Sequence, residues 1–377
     1  MPTTEPVSVA LDCAYFDAGR CRSCTLLPTP YERQLADQQA RIEAMLPPMA
    51  WDAPHASAVG GFRNKAKMAV AGTVDAPTIG ILAADGSGID LQACPLHEPP
   101  IVAAMPLLEQ LVREARLTPY DVPSRRGELK HLILTASPDG ELALRLVLRS
   151  SEAVPRIRKH LPLLAALPLA SVSVNLQPEH KAVLEGDDEL LLAGDGVLRM
   201  RVNHVPLRLR PRSFFQTNTA VAAALYRQAT AWIDEADPAS VLDLYCGVGG
   251  FALHAARPGR RVAGVEVTAE AIDAALESAV ELGADATFTV GDAGSVDLEG
   301  AGAPELVVVN PPRRGIGELA ERLEASAVRR VVYSSCNPVT LARDLQAMPS
   351  LVPLRGRVFD MFPHTGHAEV LVELVRG

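Results

Sequence analysis

Near the C-terminal end, Val331-Val332-Tyr333-Ser334-Ser335-Cys336-Asn337-Pro338 sets a thiol just past a β-branched and aromatic run. That run reads as a buried strand. Pro338 turns the chain out of it, into a turn or a helix start. A thiol at the C-terminal lip of a parallel strand faces the crevice where open α/β sheets bind ligands, which is where a nucleophile is useful. The plainer reading is a small packed cysteine, the commoner fate of a lone thiol.

Two other segments weigh on that choice. Val241 to Phe251 runs from an apolar strand into Cys246-Gly247-Val248-Gly249-Gly250 and then a helical pattern. A second strand, Arg261–Glu266, ends in an acid about 20 residues after the first glycine, the spacing at which a carboxylate accepts both ribose hydroxyls. The Gly-x-Gly-Gly order and the preceding Asp243 depart from the dinucleotide fingerprint. An acid there repels a pyrophosphate and suits a cationic aminoacyl tail, as in S-adenosylmethionine. The other segment, Glu305 to Gly315, ends a buried strand in Asn310-Pro311-Pro312-Arg313. Asn-Pro-Pro before an aromatic marks methyltransferases that act on amino groups of adenine. Arg313 in place of the aromatic suits a phosphate or a carbonyl-rich base instead.

These segments, with Ser213-Phe214-Phe215-Gln216-Thr217-Asn218 and Phe359-Asp360-Met361-Phe362-Pro363-His364-Thr365, resemble the RNA uracil-C5 methyltransferase family over nearly the whole chain. Cys13 to Cys24 and Gly61 to Met68 bring the resemblance closest to its bacterial branch acting on 23S ribosomal RNA. A relative in the family carries an N-terminal barrel, for which too few residues precede Cys13. The tRNA-modifying branch lacks the cysteines. The resemblance implies a Rossmann-like class I domain that uses S-adenosylmethionine, preceded by a β-rich α+β RNA-binding domain and an N-terminal iron–sulfur segment.

By that resemblance Cys336 adds to uracil C6, C5 takes the methyl group, and Glu369 removes the C5 proton. Addition is needed because uracil C5 is a poor nucleophile until a thiolate at C6 makes an enolate. Asp360 competes with Glu369 on chemistry alone. The matching cofactor positions are Gln216, Tyr245, Glu266 and Asn310, where the family often has Asp at the last. Phe214, Phe215 and Phe362 are candidate stacking partners for a base drawn out of its helix. Cys246 reads as packing, and His364 and His367 as hydrogen-bonding groups.

Cys21-x-x-Cys24 can chelate a metal, and Cys13 and Cys94 are the remaining thiols outside the catalytic half. Spacing alone leaves a four-thiolate zinc site and a [4Fe–4S] cluster open. The resemblance implies the cluster, held by Cys13, Cys21, Cys24 and Cys94, in a structural role.

The 377 residues, with ordinary apolar content and few aromatics, fit a soluble multidomain protein. No apolar run reaches spanning length, no secretory signal opens the chain, and six cysteines suit a reducing cytoplasm better than a disulfide framework. A net charge of -9 sits poorly with RNA. Local clusters offset it: Arg63/Lys65/Lys67, Arg125/Arg126/Lys130/His131, and Arg199, Arg201, His204, Arg208, Arg210, Arg212. A strand pair around Pro138-Asp139-Gly140 reads as a hairpin, and Tyr31 to Leu46 as a helix free to pack on the catalytic domain. The expected divisions are 1–95 (iron–sulfur segment and start of the RNA-binding domain), 96–205 (central domain) and 206–377 (methyltransferase domain). The competing readings are a tRNA uracil-C5 methyltransferase, an amino-methyltransferase of the Asn-Pro-Pro type, and a non-catalytic iron–sulfur RNA-binding protein.

Overall fold

The computed structural model describes residues 11–181, 183–299 and 303–377; the opening residues read for a leader signal lie outside them. The apolar runs of the C-terminal half assemble into an eight-stranded sheet. Its order is Ala50–Trp51, Leu351–Phe359, Glu369–Arg376, Arg330–Ser335, Leu306–Val309, Ser240–Leu244, Arg261–Glu266, Ala286–Val290. Glu369–Arg376 runs antiparallel between Leu351–Phe359 and Arg330–Ser335, and the other pairings are parallel. Strands such as Leu306–Val309 are buried throughout, as the near-continuous Val/Leu runs require when helices cover both faces. Because the parallel strands point one way, Leu244, Glu266, Val309 and Ser335 all end at one lip of the sheet.

A second, seven-stranded sheet lies in the middle of the chain. Leu129–Ala136 and Leu142–Leu148 form the expected hairpin, and Leu142–Leu148 then pairs in parallel with Leu169–Leu176 across the helix Val154–His160. The helix Pro99–Glu114 packs its buried Ile101, Met105, Leu108 and Leu111 with Leu132, Leu144 and Val174 of the sheet.

Two divisions expected from sequence differ. Leu198–Val202 and Val205–Leu209 form a hairpin that straddles residue 205. Its Met200, Val202, Val205 and Leu207 are buried with Phe215, Val221 and Leu225 in the C-terminal core. The change of core therefore precedes Leu198. Residues 1–95 are not one unit either. Ala50–Trp51 adds an edge strand to the catalytic sheet, and Ile42 and Leu46 enter its core beside Leu242 and Val331. The helix Tyr31–Glu43 thus packs on the catalytic domain, and the central sheet begins only at Lys65.

The third basic cluster is not a free positive stripe. Arg199 faces Asp195 (3.0 Å), Arg201 Asp139 (3.7 Å), Arg208 Glu281 (2.7 Å), Arg210 Glu277 (2.7 Å) and Arg212 Asp187 (3.9 Å). His204 packs edge-on to His254. Lys65 differs: burial, then neighbouring Lys67, lower its amine to about 8, and among the described residues no carboxylate lies within 4.0 Å of it.

Candidate active site

Above the lip of the catalytic sheet lies a cavity of about 600 Å³. It is lined by Cys336 and Glu369 and by the four expected cofactor residues Gln216, Tyr245, Glu266 and Asn310. Phe214, Phe362, Arg313 and Arg314 complete its outer part.

The glycine turn shapes one wall. Ser240–Leu244 ends at Tyr245, a non-glycine residue in the left-handed region (φ 61°), followed by Gly247 (φ 53°) and Gly249 (φ 84°). Such a conformation at Tyr245 costs roughly 1–2 kcal/mol and persists where its surroundings over-determine it. A Cβ on Gly250 would sit 2.5 Å from the Tyr226 hydroxyl, so only glycine lets the turn enter the helix Gly250–Ala255 at this point. The Glu266 carboxylate accepts from the Gly247 N–H (3.4 Å) and the Thr268 N–H (3.1 Å), which aims it along the turn. This wall fits S-adenosylmethionine by its chemistry: close backbone at the glycines and a carboxylate, Glu266, at the end of the neighbouring strand.

Asp243 does not act as the sequence suggests. It is fully buried beneath the turn, where Oδ2 accepts the Ala252 N–H (2.9 Å). Burial pushes it up to about 8, and Oδ1 has no partner among the described residues. It caps the helix from below and does not line the cavity. Tyr226 and Asp292, which the sequence reading missed, do line it. Asp292 stands just past Ala286–Val290, and an acid after the third parallel strand was the available signal.

Asn310 follows Leu306–Val309, and its N–H reaches the Leu244 carbonyl at 3.4 Å. Asn337 caps the helix Pro338–Gln346 by accepting from Val339 N–H (3.2 Å) while its amide donates to the Arg313 carbonyl (2.9 Å). One residue beside Cys336 thereby fixes the Asn-Pro-Pro-Arg loop to the thiol's strand. The thiol is half-buried. Burial, then the Glu369 carboxyl, push it up, and the Arg313 guanidinium pulls it down.

Glu369 opens the antiparallel strand and is 1% exposed. Ser334 Oγ donates to its Oε1, and burial pushes it up to about 7. A carboxyl raised from 4.5 to about 7 on folding stabilises the native state fully below 4.5 and loses that contribution as pH rises through 7. Gln keeps the acceptor and cannot ionise. Glu369→Gln is therefore expected to be more stable than the parent at pH 8, by up to about 3 kcal/mol, and equal to it near pH 4. Urea midpoints at both pH values check this.

Asp360, the competing base, is 3% exposed and turned away from the cavity. It accepts from Tyr31 OH at 2.8 Å, and burial pushes it up to about 6. His364 and His367 make hydrogen bonds, to Val59 and Gln34 and to Arg313 respectively. Cys246 packs against Gly264, where an added Cβ would meet its sulfur at 2.9 Å.

Cys13, Cys21, Cys24 and Cys94 gather at a second place, all half-buried. Burial, then Cys94, Cys21 and Cys13 in turn, push the Cys24 thiol up to about 11, so the other three cysteines lie near it. The Tyr15 hydroxyl accepts from Ala93 N–H (3.1 Å), tying the first three cysteines to the fourth. Among the described residues, no three His, Cys, Asp or Glu side chains close round a single-ion position.

Sheet order, glycine turn and cavity define a methyltransferase of the Rossmann-like, S-adenosylmethionine-dependent class. A family model described as "Methyltransferase domain" matches residues 241–311, and one described as "tRNA (Uracil-5-)-methyltransferase" matches residues 295–377. The chain is 48% identical to the 23S rRNA (uracil(747)-C(5))-methyltransferase RlmC of Halothiobacillus neapolitanus, over 97% of this chain and 100% of that protein. The RlmC protein of Yersinia pestis is 47% identical over 97% of this chain and 99% of its own length. Among solved structures, the Pyrococcus abyssi tRNA (uracil-54, C5)-methyltransferase in complex with S-adenosyl-L-homocysteine matches with a TM-score of 0.80 and 26% identity. That match covers 93% of this chain and 85% of the other. The chain belongs to the RlmC family of 23S rRNA uracil-C5 methyltransferases.

Proposed function

We propose that this protein transfers a methyl group from S-adenosylmethionine to C5 of one uridine in 23S ribosomal RNA, with Cys336 as nucleophile and Glu369 as base. One observation carries the reading: Cys336 and Glu369 line the same cavity as Gln216, Tyr245, Glu266 and Asn310. The cofactor supplies an electrophilic methyl group. Cys336 is protonated at rest, so its proton leaves to water as sulfur bonds to C6 and the π electrons move onto the carbonyl oxygen. Arg313 places positive charge beside that step. C5 of the enolate would bond to the methyl carbon as the methyl–sulfonium bond breaks, leaving S-adenosylhomocysteine and a C5 that carries both the methyl group and its hydrogen. The Glu369 carboxylate then takes the C5 proton, the C5–C6 double bond re-forms and the S–C6 bond breaks. Phe214, 70% exposed at the mouth, offers a stacking face to the extruded base. Arg313 and Arg314, exposed at the mouth of the cavity, offer phosphate contacts that the paired arginines of the hairpin do not.

The test is methyl transfer by the purified protein to 23S rRNA and to tRNA transcripts, with the modified base identified by mass. The reading expects 5-methyluridine in 23S rRNA. Methylation of tRNA alone favours the other branch of the family. Loss of one 5-methyluridine from 23S rRNA in a deletion strain locates the target. A protein acting on ribosomal RNA would work in the cytoplasm beside it. Among the described residues no helix is long and apolar enough to cross a membrane.

Cys13, Cys21, Cys24 and Cys94 would hold a [4Fe–4S] cluster. Four neighbouring, half-buried thiols fit it by donor type, and it would supply a cross-link to a segment with little core of its own. Anaerobically purified protein is expected to contain about four iron and four sulfide per chain. One zinc per chain in its place contradicts the assignment.

A further inference from the structure

The loop between Leu351–Phe359 and Glu369–Arg376 supplies Phe362 to the cavity and ends at Glu369. At its centre His364 is 2% exposed and left-handed, with φ 66°. The N-terminal segment meets every polar group of this residue. Its N–H donates to Gln34 Oε1 (3.1 Å), and its carbonyl accepts from Leu26 N–H (2.9 Å). Nε2 donates to the Val59 carbonyl (2.8 Å), which leaves Nδ1 to accept from the Gln34 amide (3.3 Å). The two hydrogens of that amide point to the nearer carbonyls of Thr29 (2.8 Å) and Leu26 (3.0 Å), and the ring nitrogen shares one of them.

Other residues on this face of the helix Tyr31–Glu43 hold the loop on either side. Tyr31 OH donates to Asp360, Gln38 to the His367 carbonyl (2.9 Å) and Arg41 to the Gly366 carbonyl (2.8 Å). Gln34 and Gln38 are buried, at 7% and 6% exposed. Apolar side chains would dock the helix as firmly. A buried polar stripe fixes direction and register as well, because each group left unpaired is costly.

Resting on Glu369 as the base, we propose that Gln34 is a positioning residue: it clamps the left-handed turn at His364 and so holds the loop that aims Glu369 at C5. Nucleophile, glycine turn and cofactor wall lie on other elements, so loosening this loop acts on elimination more than on addition or methyl transfer. The segment that Gln34 ties down starts at Leu26, two residues past Cys24.

The experiment is single-turnover methylation of natural-sequence RNA by the full chain, following covalent protein–RNA species and released product separately, with Glu369→Gln alongside. Gln34→Ala is expected to slow product release about ten- to hundredfold, the cost of misplacing a catalytic group by an ångström. Adduct formation and the KM for both substrates should change less than about threefold, so adduct accumulates. Gln34→Glu keeps the bulk and the acceptor for His364 N–H but cannot donate to Leu26 and Thr29. It is expected to accumulate adduct too, and carries the test should the alanine variant fail to fold. Adduct and product falling in parallel would overturn the clamp and leave Gln34 a packing residue. Failure of Glu369→Gln itself to accumulate adduct rejects the base assignment and the clamp with it.

Discussion

Replacing Cys336 with Ala is expected to lower turnover by at least about ten-thousandfold while leaving S-adenosylhomocysteine affinity within about twofold. The size follows from what the sulfur supplies: without a bond at C6 there is no enolate, and C5 stays too weak a nucleophile for a sulfonium methyl. The cofactor's intact affinity follows from the geometry. Tyr245, Glu266 and the glycine turn belong to strands two and three places from the thiol's own. Calorimetric titration with S-adenosylhomocysteine, beside a methyl-transfer assay, separates the two effects. Full activity of Cys336→Ala would return the amino-methyltransferase reading, which needs no thiol.

Glu369→Gln is expected to transfer one methyl group and then stall. The side chain keeps its shape and its bond from Ser334, so the pocket survives, but an amide cannot accept the C5 proton. Release of product should fall about 100- to 10,000-fold, the range for loss of a general base, with a methylated protein–RNA adduct as the dominant species. In the parent, burial holds this carboxyl at about 7. The base must be ionised to act, so kcat limited by elimination is expected to rise tenfold per pH unit below 7 and level off above it. On the proposed assignment the raised value would match base strength to working pH, and the same burial underlies the stability difference expected at pH 8. Denatured gels and the pH profile check both parts.

The catalytic half was legible because parallel strands buried on both faces write themselves as short Val/Leu/Ile runs, each ending in polar residues at the ligand-binding lip. Cys336, Glu266 and Asn310 all stand at such ends, and the structure brings them to one cavity. Glu369 was different: it begins a strand, and only the antiparallel insertion of that strand beside Arg330–Ser335 carries it to the same lip. Residue resemblance found it where periodicity could not. Long-range pairings were illegible. Nothing local in Ala50–Trp51 announces a strand whose pairing begins at Arg355. Gln34 and Gln38 look like a solvated helix face, since polar residues are mostly exposed, yet their partners lie 330 and 329 residues away. The arginines of the 199–212 stretch looked like a phosphate stripe because two of the acids that face them, Glu277 and Glu281, sit on a distant helix. The boundary at 205 fell inside a hairpin because both its strands alternate as freely as those of the central sheet.

A transient bond between the Cys336 sulfur and uracil C6 is the claim on which the rest stands, and RNA carrying 5-fluorouridine at the target tests it most directly. Fluorine cannot be abstracted as a proton, so the reaction should halt after methyl transfer, with RNA attached to the protein. The expected result is a denaturation-stable complex whose proteolytic fragment spanning Cys336 carries a methylated fluorouracil nucleotide. No complex under conditions where unmodified RNA is methylated, or attachment at any other residue, contradicts the mechanism.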